Sequence, residues 1–342
     1  MAMDQRKFQI VSRAAMIRLA IAGLVLVVPS FIAWTVMIRM PRKSYSGPLP
    51  PLTSQELELS KTLRRDVEQL AGGIEERNVE QYLALVAAAN FVQSSLQSAG
   101  YFVQRQGYTV GTRTCHNLEV EIAGVNRPEE IVVIGAHYDS VTGAPGANDN
   151  ASGVGAMLAL ARSFAGKKPA RTLRFVAFVN EEPPYFQTES MGSLVYARRS
   201  SERGENVVAM ISLETVGYFS DAKGSQSYPK PFSLLYPSTG NFIAFIGDVS
   251  SRQLVRDAIG SFRRHAKFPS EGAAVPGGID GVGWSDHWAF WQVGYPAIMV
   301  TDTAPFRYSH YHTDKDTPDK IDYDHMARVV MGLENVVEEL VK

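Results

Sequence analysis

The feature that most constrains this chain is the stretch from 131 to 153, where the apolar run IVVIGA ends in His137-Tyr138-Asp139-Ser140 and leads through GANDNASG at 146–153 into a small-residue helix. A continuous apolar run of β-branched residues is a strand buried on both faces, as in a parallel sheet covered by helices. The polar residues come only where that strand stops. In an open α/β sheet, ligands bind at the carboxyl ends of the strands. An imidazole and a carboxylate delivered there together are zinc-type ligands, provided that further nitrogen and oxygen donors converge on them.

Other strand-like runs alternate with helical ones. FVQRQGYTV at 102–110, NLEVEIAG at 117–124, TLRFVAFV at 172–179, VVAMISL at 207–213 and AIMVTD at 297–302 have strand composition. Helices are expected at 54–70, 78–99, 151–165, 190–200, 250–265 and 322–341. In the second of these Tyr82, Leu83, Val86, Ala89, Phe91, Val92 and Leu96 recur at three- and four-residue intervals, with Gly100 at the stop. The expected fold is α/β, with a mixed, largely parallel central sheet covered by helices on both faces. Residues 56–342 fit one large domain.

Ahead of that domain, Leu19 to Ile38 form an uncharged, largely apolar run, long enough to cross a hydrocarbon core of about 30 Å as a helix. A cleaved signal peptide has a shorter apolar region and a small-x-small site. No such site closes this run, so it is read as an uncleaved transmembrane signal anchor. Arg6, Lys7, Arg13 and Arg18 precede it, and Arg39, Arg42 and Lys43 follow. The small basic excess before the helix puts residues 1–18 in the cytoplasm and the large domain outside it, in a periplasmic or extracellular space. Residues 39–55, rich in Pro and Ser, read as a linker. With 34 Lys+Arg against 35 Asp+Glu there is no charge footprint for nucleic acid, which is not expected as a partner. Cys115 is the single cysteine, so no internal disulfide forms.

Acids and histidines recur at the other strand ends. TLRFVAFV runs into Asn180-Glu181-Glu182, VVAMISL into Glu214, and AIMVTD is followed by Tyr308-Ser309-His310-Tyr311-His312. Any one of these alone reads as a helix cap or a solvated loop residue. Three strand ends bringing carboxylates beside two histidines is a more specific pattern.

The set HYDS, GANDNASGV, NEE, SLETVGYF, SDH and YHTDKDT resembles the co-catalytic zinc aminopeptidase family, which takes in secreted bacterial aminopeptidases and glutamate carboxypeptidase II-like membrane peptidases. The resemblance runs from GGIEERN at 72–78 to the end of the chain. It implies two zinc ions about 3.5–4 Å apart. Asp149 would bridge them, His137 and Glu214 would complete one site, and Glu182 and His312 the other. Glu181 would be the general base that works on a metal-activated water, and Asp139 would orient His137 through its far ring nitrogen. Tyr311 would either donate to the developing oxyanion or simply pack. The implied activity is that of a membrane-anchored aminopeptidase acting on peptides or proteins.

Two departures from the family pattern stand out. Glu214 occupies a position where many members carry Asp, and PPYFQTESMGS after Glu182 is longer than the usual loop. The cluster Trp284, Trp288, Phe290 and Trp291 around Ser285-Asp286-His287 reads as core or as a substrate wall, and GSQSYPKPFSLLYPSTGNF at 224–242 as a lid over the same sheet edge. His287 and His310 are rival ligands that the motif match sets aside. The alternatives are a glutaminyl-cyclase-like acyltransferase with one zinc and a non-catalytic binding ectodomain on the same fold.

Overall fold

A computed structural model describes residues 13–342; the expected cytoplasmic segment 1–18 falls largely outside the described residues. Residues through Arg39 and Met40–Lys342 form two separate units. In the first, α1 (Arg13–Ala33) belongs to an apolar helical span, Ala14–Ile38, long enough to cross a membrane.

The second unit is built on an eight-stranded sheet. Its strands are β1 (Gln104–Val110), β2 (Arg113–Ile122), β3 (Arg127–His137), β4 (Arg171–Phe178), β5 (Asn206–Glu214), β6 (Ile243–Gly247), β7 (Ser270–Ala274) and β8 (Ala297–Thr301), in the spatial order β1-β2-β4-β3-β5-β8-β6-β7. β4, β3, β5 and β8 run parallel, as do β6 and β7, while β1, β2 and the β6–β8 pair are antiparallel. The sheet is therefore mixed, as expected. β6 and β7, each as short as β8, were missed in the sequence; SEGAA in β7 has no β-branched or aromatic side chain.

Alternation along the strands divides the core in two. Val132 and Ile134 of β3 face one side with Leu173 and Phe175 of β4, where α2 (Ser54–Val67), α3 (Tyr82–Ser98), α4 (Gly153–Phe164), α6 (Arg252–His265) and α8 (Tyr323–Leu340) pack. Val133 and Val176 face the other side, under α5 (Gly192–Glu202) and the short α7 (His287–Trp291). Each fully buried Val, Leu or Phe contributes about 1.5–3 kcal/mol of transfer free energy. Leu83, counted in the apolar stripe of α3, instead stands 85% exposed.

Local sequence sets the ends of these elements. Thr53 caps α2: its hydroxyl accepts from the Glu56 amide at 3.2 Å, while the Glu56 carboxylate accepts from the Thr53 amide at 2.7 Å. The expected linker lies along the body, where Pro41 and Arg42 carbonyls accept from Arg263 and the Pro50 carbonyl from Arg328.

Candidate metal centre

Four parallel strands deliver the site to one edge. His137 ends β3, Glu181 and Glu182 follow β4, Glu214 ends β5, and Asp302 follows β8. The turns there hold uncommon backbone geometry. Asn180, Thr215 and His312 are non-glycine residues at positive φ (60°, 47° and 57°), a conformation that costs about 1–3 kcal/mol each and persists only where surrounding bonds hold it.

The loop carrying Asp149 is bonded from several directions. Gly146 takes φ 63°, and Asp316 accepts from the Asn148 amide at 2.8 Å, the Asp149 amide at 3.0 Å and the Tyr308 hydroxyl at 2.9 Å. Arg77, fully buried, donates to the carbonyls of Tyr138 (2.7 Å), Gly146 (2.8 Å) and Pro145, so that one guanidinium ties the His137 turn to the Asp149 loop. Asn150 accepts from the Gly153 and Thr215 amides and donates to the Leu213 carbonyl. A Cβ on Gly153 would lie 2.3 Å from that same carbonyl, so only glycine lets α4 come this close to β5.

These supports bring seven side chains together. His137 Nε2 is 3.1 Å from Glu214 Oε2 and 3.3 Å from Asp149 Oδ1. His312 Nε2 is 3.0 Å from Asp149 Oδ2 and 3.2 Å from Glu182 Oε2. Two groups able to hold a metal ion result, His137–Asp149–Glu214 and Asp149–Glu182–His312, which share Asp149. Glu181 belongs to neither, with Oε2 3.8 Å from His137 Nε2. Tyr311 stacks on the His312 ring at 3.9 Å. Glu214, one carbon longer than Asp, still reaches the cluster, and Ser285 donates to its Oε2 at 2.7 Å.

Asp139 does not make the expected bond. Its Oδ1 is 3.6 Å from His137 Nδ1, beyond hydrogen-bond range, and that nitrogen has no partner. The carboxylate instead accepts from the Glu181 and Glu182 amides, both at 3.2 Å, and so fixes the acidic turn rather than the imidazole. His310 packs edge-on against Tyr308, and His287 lies 2.7 Å from the Val282 carbonyl; neither enters the cluster.

The donor set fits zinc. Burial pushes the carboxyls of Glu182 and Glu214 up to about 8 and about 7, with the Asp149 charge adding to both; burial also holds Glu181 well above its ordinary value, with Glu214 and Glu182 adding there. For Asp149 the contacts with His137 and His312 outweigh burial and hold the carboxyl below its ordinary value. Its buried Oδ2 makes no hydrogen bond even though His312 Nε2 is 3.0 Å away. Crowded buried carboxylates gathered on two imidazole nitrogens, one of them facing an Asp149 oxygen that has no hydrogen bond, suit a dication bound by N and O ligands.

Beside the cluster lies a cavity, partly open to solvent, bounded by Glu214 and Tyr311 and otherwise mostly apolar. It lies over the side chains that β8, β6 and β7 turn to one face, among them Met299 and Thr301, Ala244 and Ile246, and Glu271 and Ala273. The cover comes from the 224–242 segment, with Tyr228, Phe232 and Tyr236 turned inward and Gln226 tied to Arg307 at 2.7 Å. The aromatic cluster splits: Trp284 lines the cavity, while Phe290 is core and Trp288 and Trp291 pack against it. Arg77, Asp316, Asn150 and Ser285 were missed as site residues. All four sit inside the quoted motifs, but a side chain that acts by holding other groups has no spacing signature.

Residues 117–337 match the model of peptidase family M28. An uncharacterized protein, YfbL, of Escherichia coli (strain K12) is 36% identical over 295 residues, covering 84% of this chain and 88% of the relative. A probable leucine aminopeptidase of Arthroderma otae is 30% identical over 229 residues, and the match spans 62% of this chain and 54% of that longer protein. In fold, the chain is similar to BSAP, a zinc aminopeptidase from Bacillus subtilis (TM-score 0.68, 16% identity, 83% of this chain and 95% of the other), and to a glutaminyl cyclase of Fimbriiglobus ruber (TM-score 0.60, 20% identity, 86% and 97%). The chain belongs to peptidase family M28, a family of zinc metallopeptidases, and has its aminopeptidase-like fold.

Proposed function

We propose that this family M28 protein is an aminopeptidase that removes N-terminal residues from peptides, with zinc held by two ligand sets sharing Asp149. The observation that carries this is the pair of ligand groups sharing Asp149, with Glu181 outside both and 3.8 Å from His137, beside an apolar cavity that Glu214 and Tyr311 line. Zinc supplies, when bound, a Lewis acid and a water of lowered pKa. Glu181 takes the proton of the attacking water and returns it to the leaving amine. Asp139 aims Glu181 and Glu182 through their amides, and Tyr311, beside His312, donates toward the oxygen on which charge develops. The excess of buried acid suits a free, positively charged N-terminus. The name of the Arthroderma otae relative supports the same activity.

The glutaminyl-cyclase-like reading draws on the Fimbriiglobus ruber likeness and needs one ion. The complete second group, His137–Asp149–Glu214, favours the peptidase. Elemental analysis with hydrolysis of aminoacyl-nitroanilides separates them: about two zinc per chain with release of nitroaniline is expected, and one zinc with cyclisation of glutaminyl peptides would reverse the assignment.

For the whole chain, residues 19–38 serve as a signal anchor, 39–55 as the link and 56–342 as the catalytic domain, outside the cytoplasm. The apolar span Ala14–Ile38 supports the anchor. A reporter fused after Lys342 that is active only in the cytoplasm would refute this orientation.

A further inference from the structure

The cavity has a chemical polarity along its length, and the sheet register fixes it. Glu214 of β5 pairs with Thr301 of β8, Thr301 with Ala244 of β6, and Ala244 with Glu271 of β7. Residues in one such row project to the same face, and all four line the cavity. Three strand spacings of about 4.8 Å separate the two glutamates, which puts their Cα atoms ~14 Å apart. The floor therefore runs from the metal-binding cluster at one end to a second carboxylate at the other.

Between these ends the walls are apolar, with Phe242, Ile246, Val275 and Met299 among them. The Glu271 side chain is 24% exposed, and its ion-pair contact, Arg263 Nη2, is 3.8 Å away, longer than a hydrogen bond. The Arg263 guanidinium is already committed to the carbonyls of Ser270 (2.5 Å), Pro41 (3.1 Å) and Arg42 (2.9 Å) and to the Ser270 hydroxyl (3.0 Å). Glu271 thus keeps acceptor capacity toward the cavity. Tyr228 and Tyr236 stack with ring centroids 5.7 Å apart, and the charge of Glu271 acts on both phenols. Aromatic faces beside a carboxylate form a seat for a cation.

A passage with apolar walls, a reacting centre at one end and an acid at the other suits a side chain with an aliphatic stem and a charged head. The same logic places a carboxylate at the end of the specificity pocket in trypsin. We propose that the pocket selects arginine or lysine as the N-terminal residue of the substrate, with Glu271 receiving the cationic head. This rests on the aminopeptidase reading, and Glu271 is the specificity determinant within it.

The test uses the full chain in detergent, wild type, Glu271→Gln and Asp280→Asn, with the nitroanilides of arginine, lysine and norleucine. The readout is the ratio of kcat/KM for a basic substrate to that for norleucine, which cancels any general loss of fold or metal. A wild-type ratio well above one, lowered about 10- to 100-fold by Glu271→Gln, is expected for the loss of a bond between charged groups. A wild-type preference for norleucine, or a ratio that Glu271→Gln leaves unmoved, overturns the proposal. So does the same fall in the ratio produced by Asp280→Asn, since Asp280 is the one acid lining the cavity besides Glu214 and Glu271. Calorimetry with arginine amide and norleucine amide adds a readout independent of turnover. Arginine amide binding that Glu271→Gln abolishes, in a protein that cleaves none of the nitroanilides, would uphold the pocket and sink the aminopeptidase reading instead. Equal binding of the two amides overturns the pocket assignment.

Discussion

Glu181 and Glu182 are neighbours in sequence with different surroundings, and the difference can be measured. Glu182 Oε2 stands 3.2 Å from His312 Nε2 within a ligand group, whereas Glu181 is in none. Glu181→Gln should lower kcat by about 10²–10⁴-fold, the usual worth of a positioned general base, and keep its zinc. Glu182→Gln should lose the zinc of the His312 group and keep about one per chain. Elemental analysis beside the kinetics decides, and zinc lost from both variants would remove the base assignment. The pattern of acids at strand ends was enough to single out these residues in the sequence; Arg77 and Asp316 were not visible there because they act through backbone amides and carbonyls that only the folded loops bring within reach. His287, a rival ligand by sequence, makes a different prediction. Burial pushes its imidazole down to about 4, with Nε2 2.7 Å from the Val282 carbonyl. Between that value and the ordinary 6.5 the unfolded chain binds a proton that the folded chain refuses, so stability is lost as pH falls through that window, by about 3 kcal/mol in full. Urea unfolding from pH 7 to pH 4 should show this component in the wild type and lack it in His287→Gln. Equal slopes in the two would mean that the buried imidazole is not held neutral.

At the scale of elements, the long strands and helices could be read from composition because each carries a full period of pattern. β6 and β7 were not so read: SEGAA in β7 has no β-branched or aromatic residue, and the two become strands by pairing with β8 and with each other. That omission mattered, since β7 supplies Glu271 and β6 the cavity floor. The 224–242 segment was expected as a cover over the sheet edge, and its Tyr228, Phe232 and Tyr236 line the cavity. Where a local rule and the structure agree, the effect of breaking the rule can be stated. Thr53 and Glu56 satisfy one another's amides at the start of α2, and Leu63 and Val67 of that helix are fully buried. Thr53→Ala should cost about 1 kcal/mol. Denaturant melts would show a lower midpoint with an unchanged slope; an unshifted midpoint would mean that packing alone fixes the start of the helix.

At the scale of the whole molecule, the catalytic unit surrounds a cluster of buried carboxylates with two imidazoles and one guanidinium near them. Removing a cation from such a cluster leaves like charges without compensation, so the fold and the metal should be linked. For a ligand that binds the folded chain alone, saturation at about a thousandfold above Kd adds about 4 kcal/mol per site, which for a unit of this size raises Tm by roughly 8 °C. Chelation should therefore lower Tm by at least that much, and returned zinc should restore it. The ligand variants then count the ions. If two sites share Asp149, Glu214→Gln and Glu182→Gln should each leave about one zinc per chain and part of the stabilisation, while Asp149→Asn should abolish both. A Glu214→Gln protein with undiminished zinc and the full shift in Tm would show that the His137–Asp149–Glu214 group holds no ion. The reaction would then have to proceed with the His312 site alone.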